Sequence, residues 1–126
     1  MKGRVVFLGD RVKDQNGAAA VFEEFASSPA GMEASKFSDA YGLIPGNSIM
    51  QADADQAYTQ ADMAGKAETW IDVPKHLYAA SWDPQQRYVM RMDKALYGHP
   101  AAGSYWEAHC HKRVLQCGFV PIGECS

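Results

Sequence analysis

Ala95-Leu96-Tyr97-Gly98-His99-Pro100, followed by Ala101 to Gln116, is the stretch that decides how this chain folds. Gly98 and Pro100 mark the first part as a turn. The residues after it carry Trp106, Cys110 and Val114 at i, i+4 and i+8, with Tyr105 and Arg113 on the flanks. That spacing predicts an amphipathic helix over 101–116 with the Trp106 stripe facing a core. Gly118 stands where a C-terminal glycine cap belongs. The tail Phe119-Val120-Pro121-Ile122 reads as a last strand.

Working back from the turn, Arg87 to Met92 and Thr69 to Val73 are extended runs, the second closed by Pro74. They are expected to pair as an antiparallel hairpin across a long loop that contains Trp82-Asp83-Pro84. Thr59 to Lys66 reads as a polar connection. Nearer the start, Val5 to Leu8 suits a short buried strand ending in Gly9-Asp10, and Asn16-Gly17 signals a turn. A helix over Ala18 to Phe25 presents Val21, Phe22 and Phe25, and Ser27-Ser28-Pro29 ends it. A second helix spans Met32 to Leu43, and Ile49-Met50 is a strand that runs into an acidic stretch. The expected fold is α+β: a small antiparallel sheet with two or three helices, in one domain over residues 1–126.

With 47% hydrophobic residues, the chain has material for one core. A formal charge of −3 makes nucleic-acid binding weak unless a local basic patch supplies it, because such affinity rests on neutralising phosphates. Cys110, Cys117 and Cys125 are odd in number and crowded at one end, unlike a paired extracellular framework, so an intracellular, reducing compartment is expected. The apolar run after Met1-Lys2-Gly3-Arg4 is too short for a signal peptide core, and no run reaches the roughly 18 apolar residues of a membrane span.

Few side chains form a chemical constellation. In Gln51-Ala52-Asp53-Ala54-Asp55-Gln56-Ala57-Tyr58, an extended backbone would point Asp53 and Asp55 to the same side, where two carboxylates can hold a divalent metal. The alternative is a solvated pair of surface acids. His109-Cys110-His111 invites a metal reading, but neighbours on a helix diverge by roughly 100° and the usual zinc spacings are missing. Cys110 is better read as a small core hydrophobe. Trp70, Tyr97, Tyr105 and Trp106 would stack on bases or, more simply, fill the core. No G-x-S-x-G, P-loop, G-x-G-x-x-G or H-E-x-x-H motif occurs.

Several separated stretches, in order, resemble one family. Lys2-Gly3-Arg4-Val5-Val6 is similar to the K-A-R-L-V opening of the reverse transcriptase domain of copia-type retrotransposon Pol polyproteins, and Ser28-Pro29 looks like its F-S-P segment. Gln51 to Tyr58 resembles M-D-V-K-T-A-F. Met92-Asp93-Lys94-Ala95-Leu96-Tyr97-Gly98, then Tyr105-Trp106 and Gly118-Phe119, resemble L-K-K-S-L-Y-G, A-W-Y and G-F. The L-Y-G block is the most specific match. The resemblance implies the fingers and the first part of a polymerase palm.

It also implies roles for individual residues. Asp53 would be a catalytic metal ligand, the Ala54 backbone would lie at the second metal, and Tyr58 would sit under the sugar of the incoming nucleotide. Lys2 and Arg4 would contact its triphosphate, and Mg²⁺ would be the cofactor by resemblance. The family's second carboxylate pair, an aromatic-x-D-D hairpin, has no counterpart, since no Asp-Asp dipeptide exists in the 126 residues. The resemblance therefore implies a chain inactive by itself, with nucleic acid as a weak partner. A truncated palm also exposes a strand edge and an apolar face, so protein partners that cover it are expected, and a non-catalytic subunit of a larger assembly is the alternative function.

Overall fold

The computed structural model describes residues 6–21, 31–63 and 68–121. Within them the chain mixes helix and strand: a two-stranded antiparallel sheet and three helices. Strand β1 (Trp70–Asp72) pairs with β2 (Val89–Arg91), with Trp70 opposite Arg91 and Asp72 opposite Val89. The hairpin expected from Thr69–Val73 and Arg87–Met92 is therefore present. The long loop between the strands is closed by its own aromatic residues: the Trp82 and Tyr88 rings stack at 4.5 Å, and Tyr78 meets Tyr88 edge-on at 5.1 Å. Arg87 donates two hydrogen bonds to the Asp72 carboxylate (2.6 and 2.5 Å) at the base of the loop.

Helix α1 (Met32–Gly42) follows the expected span, and α2 (Ala57–Gln60) is a single turn. Helix α3 (Ala102–Gln116) is the longest and ends as its glycine predicts. Gly118 has φ +88, its amide donates to the Leu115 carbonyl (3.0 Å), and the Phe119 amide reaches back to Val114 (3.3 Å). These two bonds form the Schellman arrangement that satisfies the last carbonyls.

The buried residues come from one knot. Ala61, Met63, Met92, Ala95 and Ala102 are buried together, with Phe7, Tyr58, Ile71, Leu96 and Tyr105 packed against them. Burying a methionine fully contributes about 1.5–3 kcal/mol, so Met63 and Met92 carry much of this core. Among the described elements, two pairs pack: β1 on β2 and α2 on α3. None of the described helices is long and apolar enough to cross a membrane.

Several expected elements differ. Val6-Phe7-Leu8 is not a strand: Val6 and Leu8 are exposed, the Phe7 amide donates to the Tyr97 carbonyl, and the Leu8 carbonyl accepts from Arg11 in the turn that follows. Ala18 to Val21 is not helical, because the Asp14 carboxylate accepts from the Asn16 and Ala18 amides and folds a tight turn that bridges Lys13 to Ala19. The remainder of that expected helix, Phe22 to Phe25, lies outside the described residues. Ile49-Met50 has no strand partner among the described residues and is exposed, and the same holds for Phe119 to Pro121. On α3 the buried face is Ala102 with Tyr105 against the core, while Trp106 and Cys110 are half-buried and Val114 is exposed. The stripe was read one position too far round because the described core meets only the first turns of the helix.

Candidate functional site

The acidic stretch does not continue a strand. Gln51 to Ala54 is irregular, and Gln56 adopts the left-handed conformation (φ 50, ψ 44) before α2 begins. For a residue other than glycine this conformation is uncommon. It is held by local bonds: the Thr59 amide and hydroxyl both donate to the Gln56 carbonyl (3.0 and 2.8 Å), and Gln60 Nε2 donates to the Asp55 carbonyl (2.5 Å). Asp53 and Asp55 therefore lie in an irregular segment and a turn, not in a strand. Asp53 and Asp55 are exposed and Ala54 is half-buried.

Tyr58 is placed more firmly. It is half-buried on α2, and its ring lies 4.5 Å from that of Tyr97, tilted by 58°. Such offset aromatic pairs contribute about 0.5–1.5 kcal/mol beyond their buried area. Just after it, the chain pairs with the residues before the turn. The Ala95 amide donates to the Ala61 carbonyl and the Met63 amide to the Asp93 carbonyl (both 3.0 Å), an antiparallel bridge between Asp62 and Lys94. The Asp62 and Lys94 side chains form an ion pair (2.5 Å). The hydrogen bond and charge of Lys94 hold the Asp62 carboxyl below the usual carboxylate range, with a lesser contribution from His109 and Arg113 of α3.

Tyr97 and Gly98 complete the junction. The Phe7 amide donates to the Tyr97 carbonyl at 2.7 Å. Gly98 has φ +91, and a Cβ there would collide with the Phe7 carbonyl oxygen. Only glycine meets both requirements without strain. Next to it, His99 is buried and bonds Thr69 and the Ala101 amide.

The structure thus brings together Tyr58, the Ala61–Met63 segment and the Met92–Gly98 block, while Asp53 stays at the surface beside them in sequence. Lys2 and Arg4 lie outside the described residues. Among the described residues no three His, Cys, Asp or Glu side chains cluster as a metal site. Asp53 with the Ala54 carbonyl supplies one carboxylate and one carbonyl, which does not make a complete Mg²⁺ site. Sequence reasoning missed Ala61, Met63 and His99. Ala61 and Met63 sit in a stretch read as a polar connection, where the signal was a small residue and a methionine two apart. His99 was hidden in the turn. Comparison with protein-family models, with curated proteins and with solved structures found no match to the chain.

Proposed function

We propose that this chain is the fingers and first palm portion of a copia-type reverse transcriptase domain, inactive as a polymerase by itself. The observation that supports the reading is the meeting of its separate blocks at Tyr97. The Phe7 amide, directly after the Lys2–Val6 block, reaches the Tyr97 carbonyl, and the ring of Tyr58, which closes the Gln51–Tyr58 block, packs on the Tyr97 ring. Two of the resembling blocks, Gln51–Tyr58 and Met92–Gly98, are neighbours in space, and Phe7, just after the first block, lies beside them.

On this reading Asp53 is the inherited carboxylate ligand, with the Ala54 carbonyl beside it, and Tyr58 is the nucleotide-selecting aromatic. Lys2 and Arg4 neutralise triphosphate charge, which is the service basic residues render to phosphoryl transfer. A two-metal site needs several carboxylates to hold its ions. The absence of an Asp-Asp dipeptide leaves that set short, and nucleic-acid binding stays weak at a net charge of −3.

A second reading, a non-catalytic subunit that works through protein contacts inside the cell, is favoured by a different observation. Met32, Phe37, Tyr41, Leu43, Ile44, Ile49 and Met50 are all exposed on α1 and the segment after it. Apolar surface gathered in one region marks interaction sites.

Primer extension on an RNA template with Mg²⁺ or Mn²⁺ separates the readings. The 126-residue chain is expected to give no incorporation. Incorporation that disappears in Asp53→Ala would show an active site where this reading places an incomplete one. Size-exclusion and pull-down from native extract address the subunit reading, which a monomer without partners would contradict.

A further inference from the structure

His99 carries chemistry that the polymerase reading does not use. Its ring is buried between those of Phe7 and Tyr105, with centroids 5.2 and 5.9 Å away. Nδ1 accepts the Ala101 amide at 3.1 Å, and Nε2 lies 3.2 Å from Thr69 Oγ1. A ring nitrogen that accepts from a backbone amide holds no proton, so the imidazole is neutral and its proton sits on Nε2, donated to the Thr69 hydroxyl. The two bonds tie the residue that precedes β1 to the start of α3, where Ala102 is buried in the core.

We propose that the His99 bridge is an acid-sensitive latch: protonation at Nδ1 expels the Ala101 amide and loosens the first turn of α3, while Nε2–H keeps its bond to Thr69 beside the β1–β2 hairpin. An imidazolium has two donors and no acceptor, so Nδ1–H would face the Ala101 N–H, donor against donor. The helix N-terminus adds its own partial positive charge to that repulsion. Thr69 from the hairpin, Phe7 from the N-terminal segment, and Ala101 and Tyr105 at the start of α3 face the ring. Beside Thr69, the Glu68 carboxylate is held by Arg91 (3.3 Å), which also pairs with Asp93 (3.2 Å).

Burial lowers the His99 pKa from its ordinary 6.5, and the sign of the pH dependence follows. The folded state favours the neutral ring, so the latch is at full strength above pH 6.5 and weakens as the pH falls from there toward the lowered folded value.

The test is residue-resolved NMR on the full chain between about pH 7.5 and 5, across the range where histidines titrate. Imidazole ¹⁵N shifts should show the Nε2–H tautomer and a midpoint below 6.5. Exchange protection of the Ala101 and Ala102 amides should fall by up to about tenfold per pH unit, the limit for one proton, while the β1–β2 amides hold. In His99→Asn, whose side-chain oxygen can accept without taking up charge, that dependence should vanish. An Nδ1–H tautomer, a midpoint at or above 6.5, simultaneous loss of hairpin protection, or an unchanged pH response in His99→Asn would each overturn the latch. If His99→Asn does not fold, the tautomer, midpoint and amide pattern of the unmodified chain decide.

Discussion

Two regions of the molecule, the junction at Tyr97 and helix α1, are built from similar stocks of apolar residues and use them in opposite ways. At the junction, small and medium side chains from distant parts of the sequence are buried: Ala61 and Ala95 are 0% exposed and Met63 5%. On α1 no residue is buried, and large side chains such as Met32 (71% exposed) and Phe37 (61%) stand in solvent. The helix is held by local bonds: the Ser35 amide closes the first turn on the Gly31 carbonyl, Ser38 bonds back to Ala34, and Asn47 Nδ2 secures the Tyr41 carbonyl after the last turn. An isolated helix of this length is marginal in water. The contrast teaches that apolar content does not locate the described core of this chain. Backbone pairing does, because the Ala61–Met63 and Asp93–Ala95 ladder sets which side chains face one another.

The comparison can be broken most severely at Gly98. Gly98→Val places a Cβ against the Phe7 carbonyl and a β-branched residue at φ +91, so we expect a loss of about 3 kcal/mol or more, measured by urea unfolding. A loss below about 1 kcal/mol would mean that the Phe7 segment does not lie on the turn. Next in size is a paired substitution. Met92→Ala should cost about 2–3 kcal/mol by opening a cavity, whereas Phe37→Ala on α1, despite removing a larger side chain, should stay within about 0.5 kcal/mol. Equal effects would dissolve the distinction between the two regions.

The smallest effect is electrostatic. Asp62 and Asp72 have carboxyl pKa values lowered chiefly by hydrogen bonds from Lys94 and Arg87, respectively. A carboxylate depressed in the folded state contributes stability above its unfolded value of 3.8 and loses it as the pH falls through the folded value. Asp62→Asn should therefore lower stability slightly at neutral pH and converge with the unmodified chain at acid pH, below about pH 4, so that the acid limb is flatter, with added salt weakening the difference. A pH-independent change would assign Asp62 a role other than pairing with Lys94.

Much of the fold was legible where a local rule governs it. The β1–β2 hairpin followed from two β-branched and aromatic runs, α1 from its spacing, and the end of α3 from Gly118. What the sequence hid depends on contacts between distant segments. Ala61 and Met63 look like connection residues until Asp93 and Ala95 pair with them, and His99 looks like part of a turn until Thr69 meets its Nε2. The acidic stretch is irregular and not a strand, and Gln56 turns left-handed just after it to start α2, which its sequence did not signal. Within the candidate site, Tyr58 gained a structural position that spacing alone had not provided.

The claim on which the rest depends is that the Gln51–Tyr58 and Met92–Gly98 blocks meet. Nuclear Overhauser contacts between ring protons test it directly, with the β1–β2 hairpin as internal reference. We predict cross-peaks between the rings of Tyr58 and Tyr97, whose centroids are 4.5 Å apart, together with those between Trp70 and Arg91 across the hairpin. Hairpin cross-peaks without any between Tyr58 and Tyr97 would contradict the account.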